Sequence, residues 1–146
     1  MSTNSPWLIV TFTPGLSVVR HRCMVEIARS GQLTQSLFER GAGEWRPVFP
    51  HHERLLDNTR LEALRTAVAG IDFARLAARV RQCGGGHDAS RLAIEVYQPD
   101  STSVRVDGPI LEYDRGYHDF KETFEPAQQF WRVICDSLPE RFMDRA

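Results

Sequence analysis

Arg91 to Tyr97 reads RLAIEVY, with Leu92, Ile94 and Val96 at every second position. A period of two puts all three on one face of an extended strand. Gln98 to Thr102 (QPDST) is turn chemistry, and Ser103 to Val106 returns from it. A hairpin with one apolar face belongs to an antiparallel sheet covered on that side. This constrains the fold more than any other feature of the chain.

The same period recurs upstream. Val18 to Ala28 (VVRHRCMVEIA) alternates in its second half, with Cys23, Val25 and Ile27 on one face. Trp7 to Phe12 (WLIVTF) is a short apolar run bounded by Pro6 and Pro14, which reads as a buried strand. Leu33 to Phe38 follows the turn signal Ser30-Gly31, so the three segments form a meander.

Then the period changes. Leu61, Leu64 and Val68 make a helical stripe. Thr59 with Glu62 fits a capping box at its start, and Gly70 suits a left-handed stop. Asp72 is placed to cap a second helix that buries Phe73, Leu76 and Val80. The last helix is expected to open at Glu125-Pro126, where proline loses no bond, and to bury Ala127, Phe130, Ile134 and Leu138. Arg40 to Asn58 holds Gly41, Gly43, Pro47 and Pro50 and reads as a long irregular arm. Such an arm is either functional in itself or packs Trp45 and Phe49 over the sheet.

Strands in runs separated by helices in runs indicate an α+β fold. The expectation is a single domain over residues 1–146. It holds one antiparallel sheet of about five strands, in the order β-β-β-α-α-β-β-α, with helices packed on one face. Length alone, 146 residues, supports one domain with a proper core.

Composition narrows function more than fold. The formal net charge is -1, so no global field draws the chain to nucleic acid or acidic lipid. Lys121 is the sole lysine, and the arginines are scattered rather than clustered, as a compositional bias would leave them. Three cysteines, Cys23, Cys83 and Cys135, do not make a disulfide framework and fit reduced thiols in the cytoplasm. The N-terminal apolar run is too short for a signal sequence and lacks a basic flank. No segment approaches the roughly 18 apolar residues of a membrane span.

Candidate chemistry can be tested by order and spacing. Gly84 to Gly86 follow a helix and precede a strand, the reverse of a phosphate loop, and the helix offers them its negative end. His21, Cys23, Cys83 and His87 have the ligand types for zinc. Their spacing is not that of a finger, and Cys23 sits on the apolar face with Val25 and Ile27. His51 and His52 are adjacent and point to opposite sides of an extended chain, so they do not easily share one ion. No nucleophile elbow is present, and Cys135 lies beside the last helix's apolar stripe. No cofactor is implied.

The stretch DGPILEYDRGYHDFKETFE, Asp107 to Glu125, carries Asp107, Glu112, Asp114, Asp119, Glu122 and Glu125 against Arg115 and Lys121. Tyr113, Tyr117, Phe120 and Phe124 interleave with them. Aromatic anchors inside an acidic rim suit a contact with a basic protein. The expected partner surface is Trp45 and Phe49 from the arm with Glu112, Tyr113, Asp114, Tyr117 and Asp119. Two alternatives stand beside it: a small hydrolase using these carboxylates with His118, and a structural zinc domain. A solvated connector whose aromatics close the core accounts for the same residues.

The helix LEALRTAVAGIDFARL (Leu61 to Leu76), the polar GGGHDAS, the hairpin RLAIEVYQPDSTSVRV and a terminal helix, after a strand meander, follow one another in a telling order. This layout resembles the emfourin-type protein inhibitors of thermolysin-like metallopeptidases and similar small bacterial domains. The resemblance spans most of the chain in order and texture, and no diagnostic motif carries it. The arm at Arg40 to Asn58 and the acidic stretch after Val106 depart from it, so no binding residues are carried over. It implies a non-enzymatic inhibitor; an immunity protein that neutralises a toxin is of the same physical class.

Overall fold

The computed structural model describes residues 5–15, 21–83, 90–112 and 118–140, with the backbone alone at 83, 112 and 118–120. β1 (Pro6–Thr13), β2 (His21–Ala28), β3 (Gln32–Arg40) and β4 (Trp45–Leu55) run in succession. α1 (Asn58–Ala69), α2 (Phe73–Cys83), β5 (Arg91–Tyr97), β6 (Ser103–Gly108), a 3-10 turn (Ile110–Glu112) and α3 (His118–Ser137) complete the order. The strands form one antiparallel sheet in the order β4-β3-β2-β1-β5-β6.

The class is α+β with a single antiparallel sheet, and the sheet has six strands rather than about five. The extra strand is β4, which occupies most of the supposed irregular arm. The meander β1-β2-β3 and the β5-β6 hairpin stand as expected, and β5 joins them by pairing with β1.

Register explains why one face is the core. Leu8, Val10 and Phe12 lie opposite Ile27, Val25 and Cys23 on one side and Val96, Ile94 and Leu92 on the other. Leu37, Gln35 and Leu33 continue the same rows on β3. All of these are buried. The helices cover them: Leu61 and Leu64 from α1, Leu76 from α2, and Phe124, Ala127, Phe130, Trp131 and Ile134 from α3 are buried too. Trp131 stacks on Phe12 with ring centroids 5.6 Å apart. Burying each large side chain stabilises the fold by about 1.5–3 kcal/mol. At the β6 edge α2 approaches so closely that a Cβ on Gly108 would lie 2.4 Å from Val80 Cγ1.

Three helix boundaries differ from the sequence reading. The α1 N-cap is Asp57, whose Oδ1 accepts from the Arg60 amide at 2.8 Å. Thr59 lies inside the first turn, and Glu62 instead pairs with Arg65 at 3.7 Å. Gly70 ends α1 at φ -77°, a right-handed conformation, with its amide bonded back to Thr66 and Ala67. Asp72 does cap α2, accepting from the Arg75 amide at 3.0 Å.

The third is the start of α3, at His118, with Pro126 inside the helix. An interior proline costs about 3 kcal/mol through its missing amide and its ring. Phe124 before it and Ala127 after it are both fully buried, so the apolar stripe runs straight through. Packing outweighs the local penalty. Glycines 84–86, Asp88 and His87 lie outside the described residues, but the order holds, with α2 ending at Cys83 and β5 starting at Arg91.

A candidate contact surface on the β4 edge

β4 begins at a tight turn. The Gly43 amide bonds Gly41 O at 2.7 Å, and Gly43 has φ 85°, a conformation glycine adopts without steric cost. Arg40 and Trp45 pair across the turn, and the Arg40 guanidinium sits 4.9 Å from the Trp45 ring centroid. Pro47 and Pro50 lack amides, which a central strand could not tolerate but an edge strand can. Between Gln35 and Leu37 the register slips, so the segment around Phe49 bulges opposite Ser36.

The bulge sets the exposure. Val48 packs against the core, while Phe49 is 71% exposed and tilts against His51, centroids 5.0 Å apart. Leu55, at the end of the strand, is 68% exposed. Two large apolar side chains thus stand in water on a strand with one free edge. His52 lies opposite Gln35 on the helix side, so His51 and His52 do face opposite ways.

β4 is anchored from below by the end of α3. Arg54 donates to Ser137 O at 3.3 Å, and Arg60 donates to Asp136 O at 2.8 Å. These cations meet carbonyls that the helix leaves unpaired, at its negative end. Gln35, fully buried, donates to Glu140 O at 2.8 Å and accepts from the Glu140 amide at 3.0 Å. Its amide also lies 3.7 Å from Cys23 Sγ.

The expected contact residues divide. Trp45, half-buried, and Phe49 are on β4. Phe49 does not pack over the sheet. The other group follows β6 in the chain, and β6 is the opposite edge strand from β4. Five strand spacings of about 4.8 Å make that separation roughly 24 Å. Glu112 ends the 3-10 turn and Asp119 lies in the first turn of α3, but their side chains are outside the described residues, as are Tyr113, Asp114 and Tyr117 altogether. Asp107 is bound in place, 3.3 Å from Arg91 Nε and 3.6 Å from an Arg105 nitrogen. Phe124 is a core residue, not an exposed anchor. Glu122 and Glu125 face solvent.

For zinc, Cys23 is fully buried, and burial pushes its thiol up to about 12. A protonated thiol is a poor ligand. Cys83 ends α2, which packs on β6, three strands from β2. The Cys83 side chain and His87 are outside the described residues. Among the described residues no three His, Cys, Asp or Glu side chains gather as a metal site. The hydrolase reading rests on Asp107, Asp114, Asp119 and His118; Asp107 is paired with Arg91 and Arg105, and the side chains of the other three are outside the described residues.

Sequence reasoning missed Leu55, Arg54 and Gln35. The signal for β4 was present: proline within an extended run marks an edge strand as readily as a loop. Gln35 carried no signal, since only tertiary contact reveals its partner. Among the described residues no helix is long and apolar enough to cross a membrane. No family model matches the chain, and no curated protein matches it.

Proposed function

We propose that the protein is a non-enzymatic binding protein that inhibits or neutralises a partner enzyme by occluding it, as a peptidase inhibitor or an immunity protein does. One observation carries this reading: Phe49 and Leu55 stand 71% and 68% exposed on the same free-edged strand. Each forgoes about 1.5–3 kcal/mol of burial that a covering partner would recover. Pro47 and Pro50 remove amides that an added strand would need, so side chains rather than backbone carry the contact. Trp45 extends the aromatic end of the surface. Glu112, Tyr113, Asp114, Tyr117 and Asp119 join the contact in this reading, their carboxylates speeding association with a basic partner. Cys23 and Cys135, neither in a disulfide, fit a reducing compartment, the cytoplasm.

The test is inhibition. The protein is titrated against a thermolysin-like metallopeptidase, and against any enzyme captured on it from its native host. The reading predicts stoichiometric loss of activity by at least one, relieved by Phe49→Ala. If the thermolysin-like peptidase and every captured enzyme keep full activity at excess protein, the reading fails.

A further inference from the structure

The sheet face opposite the helices is ordered in three cross-strand rows. The middle row runs Ser36, Met24, Thr11, Ala93 and Asp107 from β3 to β6. Two residues toward one strand end stand Phe38 and Arg22, then Thr13 and Arg91. Two residues toward the other stand Thr34, Glu26, Ile9, Glu95 and Arg105. Among the described residues no helix covers this face: Ile9, Met24, Phe38 and Tyr97 are half-buried there and Ser36, opposite the β4 bulge, is buried, whereas the helix side of the same strands is buried.

The charges are arranged about the middle row. β2 reads Arg22, Met24, Glu26, and β5 reads Arg91, Ala93, Glu95, with both cations at the same end. Among the described residues neither Arg22 nor Glu26 has an ion-pair partner. Arg22 lies 5.9 Å from the Phe38 centroid, and its Nε is buried without a hydrogen bond. Arg91 already shares Asp107, and Glu95 accepts from Tyr97 at 2.9 Å and Ser103 at 3.3 Å.

We propose that two copies of this chain pack open face to open face about a two-fold axis lying along the middle row. That axis lays each strand end for end over its own counterpart. Arg22 then faces Glu26 of the other copy and Arg91 faces Glu95, each pair made twice by symmetry, with Met24 against its own copy at the centre. An axis along β1 would set Arg22 over Arg91 and Glu26 over Glu95, like charge against like. Aligned sheets cross at about 30°, which shifts these residues by about 3–5 Å, within reach of an arginine. A depression of about 280 Å³ receives it, with Pro6, Ile9 and Ala28 for the stem and Glu26 for the head. The face offers roughly 600 Å² in plan, somewhat below the ~800 Å² per partner of a standard interface. The dimer is therefore modest and salt-sensitive. Phe49 alternates onto this same face beside Ser36, so the dimer covers it too, and the second copy and the partner enzyme compete for β4.

Sedimentation equilibrium of the full chain, up to hundreds of micromolar, tests this. The expected result is a reversible monomer–dimer equilibrium that weakens with salt. R22E and E26R each raise the dissociation constant by about tenfold or more, and the swap R22E/E26R restores it to within about threefold. Circular dichroism checks that each variant is folded; if the β2 variants are not, R91E, E95R and their swap run the same test on β5. A chain that stays monomeric throughout overturns the proposal. So does a dimer indifferent to the single changes, or a swap as weak as they are.

Discussion

The two edges of the sheet are finished in different ways. β6 is closed inward: Asp107 is held by Arg91 and Arg105, and α2 presses Val80 onto Gly108. β4 is turned outward, with two prolines, a bulge, and Phe49 and Leu55 in water, yet its underside is tied to α3 through Arg54. An edge can be protected from indiscriminate strand pairing by charge or by proline. Here the charged edge shows mainly Val104, 40% exposed, while the proline edge keeps its larger apolar side chains available. The difference separates an edge that only ends the sheet from one fit to meet a partner.

The comparison breaks most severely if the support under β4 is removed. Gln35→Ala strands both backbone groups of Glu140 and should cost about 2 kcal/mol in urea unfolding. At the other edge, Gly108→Ala forces Val80 aside and should cost about 1–3 kcal/mol by the same measurement. An unchanged midpoint would mean that α2 is not seated on β6 as described.

Smaller effects sharpen the contrast. Burial holds the Cys23 thiol at about 12, above its ordinary 9.0. A raised pKa means that its stabilisation is fully present below pH 9 and is lost as pH rises toward 12. Cys23→Ala should flatten that part of the alkaline loss in a melting-temperature profile, and Cys23 should resist a thiol reagent until the protein unfolds. Smallest of all, Asp107→Asn should cost less than about 1 kcal/mol, because its pairs are exposed, and the cost should fall further in salt. A large, salt-independent effect would give the β6 edge a role beyond closure.

How much was legible follows the same division. Leu92, Ile94 and Val96, like Cys23, Val25 and Ile27, alternate because one side of a central strand is buried and the other is not. β4 shows no such rhythm. Only Val48 is turned firmly to the core, both sides meet solvent, and Pro47 and Pro50 look like loop punctuation. The start of α3 was hidden for a related reason. Pro126 is a local stop signal, and the packing of Phe124 that overrides it is a tertiary fact. Asp57 took the cap expected of Thr59 because either residue type can serve, two positions apart. Of the contact surface, Trp45 and Phe49 were chosen for their aromaticity. The anchoring by Gln35 and Arg54 depends on partners more than eighty residues away.

The central claim is that the β4 edge, not the β6 edge, carries partner binding. Once an inhibited enzyme is in hand, calorimetric titration of Phe49→Ala and Val104→Ala against it decides the matter. The account predicts that Phe49→Ala weakens binding by about 30-fold or more, a hot-spot loss of about 2 kcal/mol, while Val104→Ala changes it by less than about twofold. Equal affinity for Phe49→Ala and the natural protein, or a larger loss from Val104→Ala, would contradict it.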